Sequence, residues 1–223
     1  MKLSALIPFT SENLGIPFAQ VKTVARVLQP AGLISLGGRG PGGADMTSDD
    51  MINLLLGVCG VEVANRAADH VRMWRQLIRS DDVADERFAF TRAKTVKEFF
   101  IGLITKDLNG GALDSWLRES AGSFARFPAL KAHPRHQMAL DFYVDAFSLT
   151  LVVSRIVLNS DDRDPAIALE RAKSEAISVK FIRPIPNPDQ PSEPKKAGAQ
   201  LIRRLDDETI RAWGTCLLEG TAA

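Results

Sequence analysis

The clearest pattern near the start of the chain is an apolar stripe with the period of an α-helix, in the segment that follows Gly15. Its apolar residues recur three and four positions apart, which predicts an amphipathic helix that opens at Pro17 and buries one face. The residues of this buried face are Val21, Val24, Ala25 and Leu28. We expect the polar residues between them to face solvent, namely Gln20, Lys22, Thr23 and Arg26.

Short elements are predicted on both sides of this helix. Ahead of it, residues 2–7 and 11–14 are interpreted as two short helices, with Ser11 as the N-cap of the second, because Pro8 breaks a helix unless it lies in a first turn. Behind it, residues 33–36 predict a short strand, and the glycine-rich residues 37–43 predict a flexible hairpin tip with Arg39 as its only charge.

The middle of the chain is predicted to be helical. One long helix begins at Thr47 or Ser48 as N-cap and extends to about Ile78, with a bend at Gly57 or Gly60. Two further helices are predicted at residues 91–108 and 112–120. Their inward residues are Val96, Phe99, Phe100, Leu103, Ile104, Leu113, Trp116 and Leu117. Since these aromatic residues fall at helical spacing, we interpret them as core and not as a base-stacking platform.

The last third of the chain predicts strands and helices together. Residues 138–145 and 147–158 fit either a strand or a helix, although the second run is rich in β-branched residues, which favour strands. Further elements are expected as a helix over 165–176, strands at 177–182 and 201–205, a proline-rich linker at 184–196 and a final helix over 208–218. The apolar residues of that final helix need a partner surface.

The polar face of the first amphipathic helix suits contact with DNA. In the major groove, Gln bonds adenine, Arg or Lys bonds guanine or a phosphate, and Thr meets a thymine methyl group. A lone arginine at a glycine-rich tip suits insertion into a narrow minor groove. The predicted DNA contacts are Gln20, Lys22, Thr23, Arg26 and Arg39.

The order of these elements resembles the winged helix-turn-helix of bacterial and phage DNA-binding proteins. The resemblance lies in a recognition helix followed by Ala31-Gly32-Leu33-Ile34 and then by Gly38-Arg39-Gly40 at the position of a wing. It covers about the first quarter of the chain. The expected fold is therefore α+β and mainly helical, with a winged helix-turn-helix at residues 1–60, a helical connector or oligomerisation region at 61–132 and a small α+β domain at 133–223.

Two other interpretations of this quarter remain open. It could be a small helical hairpin whose glycine loop binds nothing. It could also be a phosphate-binding glycine loop, but the glycines follow a helix instead of a buried strand, and no Gly-Lys-Ser/Thr ending is present.

Composition narrows the function classes. With 28 basic and 27 acidic residues, the formal net charge is +1, which argues against a protein that coats nucleic acid by charge alone. No signal peptide or membrane span is evident, so a cytoplasmic protein is expected. The two cysteines and three histidines do not share a metal spacing, and common catalytic motifs are missing, so we expect no metal, no cofactor and no enzyme activity.

The sequence thus favours a duplex DNA-binding regulator of bacterial or prophage type. One recognition module makes few contacts, so a homo-oligomer is expected, with a dimer favoured. Two alternatives remain: a DNA-recognition subunit of a phage packaging machine, similar to a small terminase subunit, and a protein-protein interaction module. The size of the oligomer distinguishes the regulator from the packaging subunit, since a dimer favours the regulator and a ring of many copies favours packaging.

Overall fold

The computed structural model of the chain describes residues 1–36, 44–60, 63–80, 85–107, 111–124, 139–144, 148–158, 163–182, 200–206, 209–213 and 215. The helices are α1 (Leu3–Leu14), α2 (Phe18–Leu28), α3 (Ser48–Cys59), α4 (Ala67–Arg75), α5 (Val96–Ile101), α6 (Ala112–Phe124) and α7 (Pro165–Glu170). The strands are β1 (Ile78–Arg79), β2 (Ala139–Val144), β3 (Ser148–Val157), β4 (Lys173–Ile182) and β5 (Gln200–Asp206). The fold is therefore mixed α+β, as expected.

Helix α1 continues through Pro8, so the prediction of two short helices in this segment was wrong. The missing proline N–H costs the helix one backbone hydrogen bond, but Leu6 and Thr10 are fully buried on either side of it. Tertiary packing of this kind outweighs a local helix breaker. Ser11 is not an N-cap: its hydroxyl donates to the carbonyl of Ile16 beyond the helix end at 2.7 Å.

A three-residue turn joins α1 to α2. Gly15 adopts a left-handed conformation with φ +60°, which a residue with a side chain rarely adopts. The N–H of Ile16 then donates to the carbonyl of Ser11 at 3.1 Å, and the Ile16 side chain is buried. This closes α1 and fixes the direction in which α2 begins.

The buried face predicted for α2 is confirmed, because Val21, Val24, Ala25 and Leu28 are all buried. At its packing contact with α3 lies Gly57, where an added Cβ atom would lie 3.0 Å from side-chain carbons of both Val24 and Leu28. The lack of a side chain at this position lets the two helices approach closely. Helix α2 thus packs against the neighbouring helices through one face, and its other face is exposed.

The strand predicted for residues 33–36 is not formed. The backbone groups of this segment bond to side chains instead of to a neighbouring strand: Asn53 donates to the carbonyl of Leu33 at 2.7 Å, and the N–H of Ser35 donates to Asp50 at 2.8 Å. These side-chain partners use the groups that a ladder would require. The hairpin tip predicted for residues 37–43, with Arg39, lies outside the described residues.

The long helix predicted up to about Ile78 is also wrong in its extent, since α3 ends at Cys59. Its start is confirmed: Thr47 is the N-cap, in a reciprocal capping box with Asp50. Its C-cap is Gly60. A side chain does not fit at this position, because an added Cβ atom would fall 2.0 Å from the buried ring of Trp74. The chain becomes helical again in a 3₁₀ turn at Ala64–Arg66 that leads into α4.

The next helix begins later than predicted and changes its winding. A 3₁₀ turn at Phe90–Arg92 precedes α5, whose N-cap is Thr95, and a π-helical stretch at Gly102–Asp107 follows it. The inward residues predicted for α5, the π-helical stretch and α6 are all buried. Helix α6 itself extends four residues beyond its predicted end.

The five strands form one antiparallel sheet in the order β1-β4-β3-β2-β5. Strands β3 and β4 pair along their full length, from Ser148 opposite Ile182 to Val157 opposite Lys173. Of the two possibilities left open for residues 138–158, strands are therefore correct, and the strand predicted at 201–205 is confirmed as β5. The helix predicted over 165–176 was too long, because its last residues pair with β3 as the start of β4.

Aromatic rings join the sheet to the helices. Phe99 meets Phe181 edge to face with ring centroids 6.1 Å apart, and Phe100 stacks on Phe142 with centroids 6.0 Å apart. Near the carboxyl end, residues 209–213 are helical and pack on α1: Thr209 donates to the carbonyl of Asn13 at 2.9 Å. Trp213 also meets Phe9 edge to face with ring centroids 5.9 Å apart, so α1 is a partner surface for the described part of the predicted final helix; residues 216–218 lie outside the described residues. None of the helices in the described ranges is both long and apolar enough to cross a membrane.

Candidate nucleic-acid interface

The exposed side of α2 carries most of the residues singled out by the sequence. Lys22, Thr23 and Arg26 are exposed, whereas Gln20 is half-buried at the edge of this side. With about 100° per residue, Lys22, Arg26 and Thr23 fall within about a third of the helix circumference. The structure thus places these three side chains on one surface, while Arg39 lies outside the described residues.

This surface has an uncompensated positive charge. Helix α2 contains no acidic residue, and within the described ranges neither Lys22 nor Arg26 forms an ion pair. Lys22 and Arg26 are four residues apart on the helix, where like charges repel each other and destabilise it slightly. Many other cations of the fold do have carboxylate partners, among them Arg75 and Lys97, which both contact Asp49.

Thr23 can form fewer hydrogen bonds with a DNA base than a free threonine hydroxyl could. Its hydroxyl donates to the carbonyl of Ala19, one turn earlier in the helix, at 2.8 Å. The hydroxyl hydrogen is thus already used. What remains for a ligand is the oxygen lone pair and the methyl group.

An aromatic ring, not identified in the sequence, flanks the two cations. Phe18 is the first residue of α2 and is 49% exposed. The ammonium nitrogen of Lys22 lies 5.8 Å from the centroid of the Phe18 ring, which is a cation–π contact. The helical spacing of Phe18 and Lys22 was visible in the sequence, but phenylalanine is normally assigned to the core.

Two arginines of a second segment lie near α2. Arg66 is exposed on the 3₁₀ turn that packs against α2, and it has no carboxylate partner among the described residues. Arg72 of α4 donates to the carbonyl of Ala31, just beyond the end of α2, at 3.3 Å, and pairs with Asp69 at 3.6 Å. These arginines are about forty residues away in sequence, so a local pattern could not place them near α2.

The two residues that flank the glycine-rich segment are held together by one carboxylate. Asp50 accepts hydrogen bonds from the N–H of Ser35 and from the N–H of Thr47, both at 2.8 Å. Both hydroxyls of these residues also donate to Asp50. Close by, the Lys2 ammonium contacts Asp45 at 3.1 Å and holds the pKa of that carboxyl below its usual value. Asp50 therefore fixes Ser35 and Thr47 to each other at the start of α3.

Comparisons with family models, with curated proteins and with solved structures give no match for this chain. The surface of α2 is therefore interpreted from its own chemistry.

Proposed function

We propose that the protein binds duplex DNA in a sequence-specific manner and acts as a transcriptional regulator of bacterial or prophage type. In this proposal α1 and α2 form a helix-turn-helix, α2 is the recognition helix and residues 37–43 form the wing. The observation that carries it is the exposed side of α2, which presents Lys22 and Arg26 without any acidic residue in the helix.

A phosphate backbone is the ligand class that best explains this charge. Lys22 and Arg26 repel each other at their spacing, and a bound polyanion would turn that cost into a favourable interaction. The connection of three residues between α1 and α2, with its glycine, is typical of the helix-turn-helix motif. A helix is narrow enough to enter the major groove, which is about 12 Å wide.

The residues of the surface divide into base contacts and phosphate contacts. Arg26 and Lys22 project from the middle of the exposed side and are the candidates for guanine, while Gln20 would reach an adenine only from the edge. Arg66 and Arg72 lie beside the helix and suit the phosphates that flank the groove. Arg39, in the proposed wing, would enter the adjacent minor groove.

We further propose that the protein binds as a homo-oligomer, because a single α2 supplies few contacts for a specific site. A dimer would place two copies of α2 on two half-sites one helical turn apart. Measurement of the mass of the complex separates this from the packaging alternative: a ring of many copies on DNA would favour a terminase-like subunit.

Selection of bound fragments from a random duplex pool, followed by salt titration, tests the proposal. The full-length protein should enrich a recognisable sequence, and its affinity should fall steeply as the salt concentration rises. Lys22→Ala and Arg26→Ala should each lower the salt slope by roughly one unit if the side chain contacts a phosphate. If either side chain contacts a base instead, sequence preference should weaken at that position by about 1–3 kcal/mol.

Lys180→Ala is the matched control, because Lys180 is an exposed lysine on β4, away from α2. It should leave affinity and salt slope unchanged. All three variants should unfold within about 0.5 kcal/mol of the wild type, since exposed side chains contribute little to the core. Equal losses in the control and in the α2 variants, or no enrichment from the pool, would contradict the proposal and favour a protein partner for this surface.

A further inference from the structure

We infer that Phe18 recognises the 5-methyl group of thymine, so that the preferred ligand of α2 is a major-groove surface that contains thymine. This inference rests on the proposed function, namely that α2 binds duplex DNA. It adds a specificity-determining residue and the identity of a base that the site selects.

The position of Phe18 sets it apart from an ordinary exposed apolar residue. It begins α2, where the chain leaves the turn, and about half of the side chain is exposed. The Lys22 ammonium lies 5.8 Å from the ring centroid. Since a cation that binds DNA also lies over this ring, any duplex that reaches Lys22 comes within reach of the ring edge.

Two neighbouring side chains on the same side of α2 add methyl groups and no free hydrogen-bond donor. Ala19 is exposed and offers only its methyl group, and the hydroxyl hydrogen of Thr23 is used within the helix. At about 100° per residue, the cations Lys22 and Arg26 lie between these two residues and Phe18 on the helix surface. A surface of apolar groups and cations suits thymine methyl groups and guanine acceptors.

Thymine is the base that presents a methyl group in the major groove. Replacement of a thymine by deoxyuridine removes this methyl group and leaves the base-pairing hydrogen bonds in place. Loss of one buried methyl contact should lower affinity about fourfold, by the usual free energy of burying one such group. The effect is small enough that it must be measured against matched variants.

The experiment uses the full-length protein and the duplex that it enriches from a random pool. Each thymine in the bound site is replaced in turn by deoxyuridine, and the dissociation constant is measured for wild type, Phe18→Ala and Phe18→Leu. Wild type should lose about fourfold at one thymine position. Phe18→Ala should bind both duplexes equally, and Phe18→Leu should keep part of the difference, because leucine still offers an apolar contact.

Ile167→Ala is the control, because Ile167 is a similarly exposed apolar residue, 41% exposed, on α7. It should retain the full effect of deoxyuridine. The salt slope gives a second readout: Phe18→Ala should leave it unchanged, since no charge is lost.

The outcomes separate the inference from the proposed function. If wild type binds the thymine and deoxyuridine duplexes equally at every position, or if Phe18→Ala keeps the wild-type ratio, the role of Phe18 is wrong although DNA binding stands. If the pool yields no bound duplex, the proposed function fails first, and the inference fails with it.

Discussion

The exposed side of α2 and the contact between α6 and the sheet use positive charge in opposite ways. On β3, the Arg155 side chain is only 8% exposed and contacts Glu175 at 2.6 Å and Glu119 at 3.2 Å. Its guanidinium also lies 4.3 Å from the centroid of the Trp116 ring and donates to the carbonyl of that residue. On α2, Lys22 and Arg26 are exposed and have no carboxylate partner among the described residues.

This contrast shows which charges the fold needs. A buried cation is expensive unless it is paired and hydrogen-bonded, so the partners of Arg155 are a condition of its burial. An exposed cation is hydrated and requires no partner to be stable. We therefore expect the charges of α6 and the sheet to govern the free energy of unfolding, and those of α2 to govern affinity for a ligand.

The largest expected effect comes from another charge that is enclosed by the fold. Asp50→Ala removes the acceptor for the N–H groups of Ser35 and Thr47 and destroys the capping box of α3. The loss of several hydrogen bonds to a charged group, together with the lost cap, should lower the free energy of unfolding by about 3 kcal/mol. Urea unfolding followed by circular dichroism measures this.

Asp49→Ala is the matched control for Asp50, because its carboxylate lies on the same helical turn but is 40% exposed and, among the described residues, pairs with Arg75 and Lys97. Exposed ion pairs contribute about 0–1 kcal/mol. Equal destabilisation by the two substitutions would show that the hydrogen bonds from Ser35 and Thr47 to Asp50 add no stability beyond that of an exposed ion pair.

A smaller loss in the free energy of unfolding is expected from a substitution at Arg155 on β3. Arg155→Met keeps an apolar chain beside Trp116 but removes the hydrogen bonds to Glu175 and to the Trp116 carbonyl. Both glutamates are exposed enough to be hydrated once the arginine is gone, so we expect a loss of about 2 kcal/mol and not the larger cost of a fully buried unpaired charge. Glu119→Gln, at the most exposed partner, should cost less than about 0.5 kcal/mol. If Arg155→Met has the same free energy of unfolding as the wild type, the buried cation of β3 does not stabilise the fold. The proposed difference from the exposed cations of α2 would then be wrong.

The sequence predicted the elements whose signals are local. The period of Val21, Val24, Ala25 and Leu28 was enough to identify the buried face of α2, and the Thr47 cap marked the start of α3. The solvent-facing residues Lys22, Thr23 and Arg26 follow from the same period, although their contact with DNA stays a prediction. Predictions from such short-range patterns are correct here because the same face is buried along the whole helix.

The errors arose where distant residues decide the structure. Burial of Leu6 and Thr10 carried α1 through Pro8, and pairing with β3 turned the end of a predicted helix into β4. The clamp that Asp50 forms between Ser35 and Thr47 replaced a predicted strand. Arg66 and Arg72 come near α2 through the packing of the 3₁₀ turn at Ala64–Arg66 and of α4. Phe18 belongs to a residue type that is normally assigned to the core. Apart from the four-residue spacing of Phe18 and Lys22, these contacts have no periodic signature in the sequence.

The smallest expected effect on the free energy of unfolding comes from the buried carboxyl group of Asp107, and it depends on pH. Asp107 ends the π-helical stretch and accepts the N–H groups of Ala89 at 3.0 Å and Phe90 at 2.8 Å, and burial raises its pKa above the usual 3.8. Because the folded state holds this proton more tightly than the unfolded state does, Asp107 stabilises the fold most below pH 3.8, and this contribution is lost as the pH rises through the raised pKa. Asparagine does not titrate. The free energy of unfolding of wild type minus that of Asp107→Asn should therefore decrease as the pH rises above 3.8, as measured by urea unfolding at several pH values. A difference that stays constant or increases as the pH rises would mean that the two backbone N–H groups outweigh burial in setting the pKa of Asp107.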